Sequence, residues 1–189
     1  ASSTTEGFTV RAFDLEGESE ISTNTTPSGF GVAGGSSGAD SEIGELNGNS
    51  ERIVVDFDAP VASVKVSFAW LHSGESATYT LFDSDGEKIG SSSVFGNTDR
   101  IDDPITLTGN GSAISRIVFS ADTDNASTGD DFLIHSIEFV ANTTYPLTIT
   151  ATPTDIDYSE SIASITVAVP EGATLSVGDK NADGTWTLP

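Results

Sequence analysis

The sequence predicts an all-β chain, a jelly-roll-like antiparallel β-sandwich followed by a C-terminal partial immunoglobulin-like β segment. Three observations carry this fold class. Helical periodicity is hard to find anywhere in the 189 residues, whereas short apolar runs alternate with a period of two. Clusters of Gly, Ser, Thr, Asn and Asp punctuate those runs at close spacing, the rhythm of a double sheet. Ten phenylalanines and 36% hydrophobic residues are enough for a core and too many for a disordered tail.

Taken in order, strands are expected at 8–13, 52–57, 62–71, 77–82, 88–94, 105–108, 113–120 and 132–140, enough for a jelly-roll-like double sheet. In 62–71 the core face carries Val64, Val66, Phe68 and Trp70, with Lys65 and Ser67 turned outward. Tyr79 joins Leu81 in the core, and Asp83-Ser84-Asp85-Gly86 is a hairpin turn by composition. Between 18 and 50 the chain reads as one long Gly/Ser/Thr-rich loop, of the kind that is functional or held by a ligand. The character changes near Asn142, which divides the chain into 1–143 and 144–189. Strands at 147–151, 164–169 and 174–177 would make the second part marginal alone. The chain reads as a piece of a larger protein: ASSTTEG is no signal peptide, and DGTWTLP stops inside a β-domain.

Twenty-nine acids against seven bases leave a formal charge of -22. That balance argues against nucleic acid or an anionic membrane as partner, and self-repulsion opposes compaction unless cations bind. No run approaches the ~18 apolar residues of a membrane helix. Without cysteine there is no disulfide, thiol chemistry or Cys-type zinc site.

The acids are clustered. SADTDNASTGDDFLIHSIEFVA, at 120–141, holds Asp122, Asp124, Asp130 and Asp131 with no Lys or Arg among them. It runs into a strand in which Phe132, Ile134 and Ser136 share one face. Leu133, His135, Ile137 and Phe139 take the other face, or a bulged version of it. GADSEIGE supplies Asp40, Glu42 and Glu45, with Glu51 following. NTDRIDDP supplies Asp99, Asp102 and Asp103, and DIDYSE supplies Asp155, Asp157 and Glu160. Such spacings let one loop offer several oxygens to a hard cation, and carboxylate, carbonyl and amide oxygens are what calcium takes. No cluster fits the twelve-residue EF-hand loop. Any single cluster reads as well as a solvated face, but four idle ones are much harder to accept. Several Ca2+ ions are therefore expected.

Catalysis is not. His72 and His135, both expected on strands, are the only histidines, and nothing resembles HExxH, which argues against zinc. Gly74-Glu75-Ser76-Ala77-Thr78 lacks the closing glycine of a nucleophile elbow. Glu42 and Glu45 as a glycoside-cleaving pair is a minor alternative that depends on a separation across a cleft. Trp70 reads as core rather than as a sugar-stacking platform, because its alternation partners are core residues.

Two parts of the chain resemble modules of large bacterial RTX adhesins. TATPTDIDYSESIASITVAVPEGATLS with the later DGTWTL, across 150–188, resembles their repeated immunoglobulin-like modules, although Tyr158 stands where the repeats often have glycine. The resemblance implies that Asp155, Asp157 and Glu160 bind calcium near a module junction. GFGVAGG through DSEIGE, PVASVKVSFAWL, NTDRIDDPITL and TGDDFLIHSIEF resemble the calcium-dependent ligand-binding β-sandwiches near the distal end of such adhesins. Those termed peptide-binding domains are the nearest; carbohydrate-binding relatives share the GxGV…EI opening and the DD-aromatic ending. What the resemblance implies is an extracellular, type I-secreted, cell-surface protein serving adhesion, biofilm formation and virulence, flanked by neighbouring adhesin domains. Its partner would be a short peptide or the C-terminal end of a surface protein, with a glycan as the alternative. A cation with an open position would accept a ligand carboxylate or paired sugar hydroxyls. The early acidic loop and the 130–131 loop are expected to meet at one end of the sandwich.

Overall fold

The computed structural model describes residues 2–5, 7–35, 37, 40–97, 100–123, 130–141, 145–153, 161–170 and 173–189. It divides into two compact units, Ala1–Thr143 and Thr144–Pro189. The first contains β1 (Ser2–Thr5), β2 (Phe8–Phe13), β3 (Glu18–Ser19), β4 (Ile21–Thr25), β5 (Ser28–Val32), β6 (Ile43–Leu46) and β7 (Asn49–Ser50). These are followed by β8 (Arg52–Ala69), β9 (Ser76–Phe82), β10 (Lys88–Phe95), β11 (Ile105–Thr108), β12 (Ile114–Ala121) and β13 (Asp131–Ala141). The predicted all-β antiparallel sandwich is what forms.

β8 belongs to both layers. Its first half pairs with β2 and β12, Val55 standing between Val10 and Ile117. Its second half pairs with β11 and β13, Val66 standing between Ile105 and Ile137. Two separate strands, at 52–57 and 62–71, were expected here, with Asp58, Ala59 and Pro60 in the gap between them. Those three residues are exposed, and the strand runs through them while changing layer. One layer is thus built on the β10-β9-β12-β8-β2 side, and the other on β11, β8 and β13 with the β4–β5 and β6–β7 hairpins.

Between the layers, Val55, Val64, Val66, Phe68, Leu81, Ile117, Phe119 and Phe132 form one buried cluster. Phe68 meets Phe119 and Phe132 edge to face at 6.0 and 5.4 Å. Lys65 is exposed as expected; Ser67, on the same face, is covered there, 2% exposed with a 2.7 Å hydroxyl contact to Ser136 of β13. Trp70 leaves the alternation altogether. Its backbone is left-handed, φ 58°, its side chain is half-buried, and Leu71 takes the core position instead. Three consecutive residues of β13, Phe132, Leu133 and Ile134, are fully buried, and a register shift follows between Ile134 and Ser136. The bulged version of the strand is the correct one.

The expected long loop at 18–50 is instead two hairpins and a short strand. Most of their strand positions are Ser, Thr, Asn and Gly, with Ile21, Phe30, Val32, Ile43 and Leu46 scattered among them, so they carry no strong period-2 signal. Pairing with β13 holds them, through Ile134 against Phe30 and Phe132 against Ile43. Asn47 and Gly48, at φ 55° and 78°, close the second hairpin as a type I′ turn. The Asp83–Gly86 turn forms as read: Gly86 and Asp83 amides bond Asp83 and Glu87 carbonyls. In the second unit, β14 (Ile165–Val167), β15 (Asp179–Lys180) and β16 (Trp186–Leu188) make a small antiparallel sheet. The strands expected at 147–151 and 174–177 do not form; the pairing partner of β14 is the Trp186 segment, a run too short to stand out in sequence.

Phe68→Ala should cost about 3–5 kcal/mol in urea unfolding because it empties the three-ring contact. Lys65→Ala on the same strand should stay within about 0.5 kcal/mol.

Candidate functional site

β8 starts and finishes at the same end of the sandwich. Its beginning is tied there by Ser50, whose hydroxyl accepts the Ala121 amide at 2.8 Å. The adjoining Glu51 accepts the Gly44 amide at 3.1 Å and the Ser37 hydroxyl at 2.8 Å. Its finish pairs Ala69 with Leu133 near the start of β13. Because neighbouring strands are antiparallel, β10 and β12 end, and β9, β11 and β13 begin, at this end too. Several of the acid-bearing loops of the first unit are therefore delivered to one place by topology.

The early loop and the last strand meet directly. Ile43 pairs with Phe132 and both side chains are fully buried, so the flanking residues take the opposite face of this ladder. That puts Glu42 and Asp131 on one face as diagonal neighbours. Gly31 makes the approach possible: a Cβ there would stand 2.5 Å from the Ser41 carbonyl oxygen and 2.8 Å from the Glu42 Cα.

A third carboxylate comes from the turn after β8. The Glu75 amide donates to the His72 carbonyl at 3.0 Å, and the His72 amide donates to Glu75 Oε2 at 2.8 Å. Gly96, which could not carry a Cβ against the Leu71 carbonyl, donates its amide to the Glu75 carbonyl and holds the turn against the end of β10. His72 is thus a turn residue, not a strand residue as expected.

Burial and mutual repulsion show in the titration of this group. Burial, then the charges of Asp131 and Glu75, push the Glu42 carboxyl up to about 7 against a pull from His72. Asp131 is raised by burial first and by Asp130, with His72 opposing. Glu75 is raised by burial first, opposed by its His72 amide bond, and raised further by Asp131 and Asp130. Asp56 shows the contrast: burial acts on it too, but Arg11 and Arg116 hydrogen bonds hold its carboxyl low.

Asp122 and Asp130 stitch strands. The Ser76 amide donates to Asp130 Oδ1 at 3.0 Å, and the Ser76 hydroxyl donates to Asp122 Oδ2 at 3.0 Å. Asp130 is 1% exposed. Glu45 caps its own hairpin through the Gly48 amide, and Asp40 and Asp103 are exposed. Asp102 is buried with neither carboxylate oxygen hydrogen-bonded. Asp99, Asp124, Asp155, Asp157 and Glu160 lie outside the described residues. Glu75 was not singled out by its sequence, where it is a lone acid between two strong strands; only the chain's return brings it beside Asp131. His135, on the β13 bulge, reaches the Ser28 carbonyl at 2.6 Å and borders an apolar groove of about 250 Å3 with Phe8, Ile21, Phe30 and Ile137. That groove carries no acid.

As donors, Glu42, Glu75 and Asp131 suit a hard cation: they are oxygen ligands, half-buried and mutually repelling. Among the described residues no three His, Asp or Glu side chains already stand at chelating distance. No protein-family model matches the chain, and no curated protein sequence does.

In chelator the cluster gives a definite pH slope. The folded state keeps a proton on Glu42 between about pH 4.5 and about 7 that the unfolded state has lost, so stability from this group falls as pH rises through that window. Glu42→Gln should flatten the slope and raise the melting temperature at pH 8, as read by thermal melts in EDTA.

Proposed function

We propose that residues 1–143 are a calcium-dependent peptide-binding module of a surface adhesin, taking its ligand at the carboxylate end of the sandwich. The observation that carries this reading is the convergence of Glu42, Glu75 and Asp131 from three distant segments onto one half-buried patch. In this reading those three side chains hold the ion, rotating inward to do so. When bound, it supplies a positive centre that an incoming carboxylate can approach on an otherwise strongly acidic surface.

The chain's own residues do the rest. The His72 amide fixes one Glu75 oxygen, and Ser76 with Asp130 fixes the start of β13 beside Asp131. The 41–42 backbone is held by the Val32 amide, which donates to the Glu42 carbonyl at 3.3 Å. A ligand carboxylate would thus meet a rigid floor with few adjustable parts, which favours affinity by limiting the ordering cost. The resemblance to RTX adhesins adds the setting: an extracellular, type I-secreted protein in which residues 144–189 open the next module, working in cell adhesion and biofilm formation.

A glycan ligand is the second reading, and two rings favour it. Trp70 is half-buried rather than core, and Phe95, at the end of β10, is 71% exposed. Both lie at the end of the sandwich that carries the acids, where a sugar face could stack.

Peptides with free and amidated C-termini, and a glycan array, should each be screened with calcium and with chelator. Free C-termini should bind only with calcium, and Glu42→Gln or Asp131→Asn should weaken binding at least about tenfold, or ~1.4 kcal/mol. Binding confined to sugars would replace the peptide reading with the glycan one. Calcium should also raise the melting temperature; an unchanged melt would remove the premise both readings share.

A further inference from the structure

We propose that the outer face of the β10-β9-β12-β8-β2 layer binds an acidic oligosaccharide, one with widely spaced carboxylate or sulfate groups, and does so without calcium. The site shares no residue with the Glu42, Glu75 and Asp131 patch and rests on neither ligand reading given above.

Bases are scarce in this chain, seven against twenty-nine acids, yet Arg11, Arg52, Lys88 and Arg116 all stand on this face. Val10, Val55, Leu81 and Ile117 are buried inward, so the alternation turns Arg11, Asp56, Phe82 and Arg116 outward. Across neighbouring strands the register runs Lys88, Phe82, Arg116, Asp56 and Thr9. Arg11 and Phe13 follow along β2, with Arg52 opposite Phe13. Within these strands, β8 being taken over 52–57, Asp56 is the one acid; Glu18 and Asp122 border the face.

Asp56 does not use these cations up. It accepts from Arg11 at 2.8 Å and from Nε of Arg116, whereas each guanidinium has five N–H donors. Arg11 and Arg116 keep 34% and 47% of their side-chain surface exposed, and Arg52 and Lys88 are exposed too. Two guanidiniums sharing one carboxylate leave a surplus positive charge, and their planar forks take carboxylates and tetrahedral oxyanions.

Two half-buried rings lie among the cations. Phe82 stands between Lys88 and Arg116 in the register, and Phe13 has the Arg11 and Arg52 guanidinium carbons at 5.6 and 4.5 Å from its centroid. Beside Phe82 a hollow of about 360 Å3 is bordered by Asp56, Ser84, Asp85, Ser115 and Arg116. The buried Ser115 hydroxyl there has no hydrogen-bond partner. Elsewhere the face is hydroxyl-bearing, Thr78 standing against Ser93 and Thr80 against Ser91. Strand spacing and rise put Phe13 and Phe82 about 20 Å apart, the reach of a short oligosaccharide.

Charge density chooses among anions. Duplex DNA carries a charge every ~1.7 Å, whereas Arg11 and Arg116 sit two strands apart, about 10 Å. The acids around the face would repel the excess charge of a nucleic acid. An added peptide strand needs a sheet edge for its main-chain bonds, and this is a sheet face. A saccharide with spaced acid groups meets the cations singly, lays ring C–H faces on Phe13 and Phe82, and shares hydroxyls with Ser and Thr. Charges are felt over about 8 Å at physiological salt, so a short ligand answers to this face rather than to the net charge of the chain.

The test is calorimetric titration of the full chain in EDTA with hexasaccharides of hyaluronan and of chondroitin sulfate, with neutral chitohexaose and with a single-stranded oligothymidylate. At least one acidic hexasaccharide should bind saturably and at least tenfold more tightly than chitohexaose; which one binds identifies carboxylate or sulfate as the recognised group. Arg116→Gln and Lys88→Glu should each weaken binding at least fivefold, while Glu42→Gln leaves it unchanged. Lys88 lies outside the Asp56 ion pairs, so its variant keeps the test decisive should Arg116→Gln fail to fold. The proposal is overturned if neither acidic sugar binds in EDTA, if binding ignores both substitutions, or if oligothymidylate binds as tightly. Saccharide binding that requires calcium and is lost in Glu42→Gln also overturns it, and assigns the sugar to the carboxylate end instead.

Discussion

The pairing of β8 with four partners governs the first unit. An extended strand of this length would be far longer than a sandwich is deep. By changing layer at Asp58–Pro60 it becomes the wall of both sheets, and its two ends come back to the same side. The interior follows from that return: Val55 and Ile53 face Val64, Val66 and Phe68 because one strand supplies both sides. So does the placing of the loops. Glu51 precedes β8 and Glu75 follows it, and the return of the strand brings their segments to β6 and β13.

Hydrophobic burial and charge are at odds in this arrangement. Apolar contacts across the layers favour closing the sandwich, yet closing it crowds acids at one end. Elsewhere on the unit a carboxylate such as Asp56 sits between two arginines and is held ionised. At the crowded end, Asp130 accepts a backbone amide and Asp122 two serine hydroxyls, while burial and the charges around Glu42, Glu75 and Asp131 help to push their carboxyls up. The fold therefore carries a local excess of negative charge that its own side chains relieve only in part, and such an excess is where external cations act most strongly.

The sandwich was legible because its main strands are written in Val, Ile and Phe at period two. β2 and β11 fall where the alternation puts them, and β9, β10, β12 and β13 shift by a residue or so. The hairpins at 21–32 and 43–50 were not legible, since Ser, Thr and Gly pack in strands only when a neighbour such as β13 supplies the apolar surface. Trp70 was misplaced because the alternation was carried past the end of β8, where the chain turns left-handed; Ser67 keeps its face but is covered there, its hydroxyl meeting that of Ser136 across the ladder. Of the candidate site, Glu42 and Asp131 were visible as members of acidic runs. Their company with Glu75 and His72 was not, because it depends on register between segments far apart in sequence.

β13 closes this unit. It pairs with β8, with β5 at Ile134 and with β6 at Phe132, and the residues it meets lie more than sixty positions earlier in the chain. Non-local pairings of this kind must wait for the chain to bring their ends together, and loop closure makes them slow, typically milliseconds to seconds in all-β domains. The second layer thus has no anchor until 131–141 is available, and the hairpins at 21–32 and 43–50 have little to fold onto before then. Order in the second layer therefore arrives late, with the last strand, whereas the β9–β10 hairpin and its pairing with β12 do not wait for it.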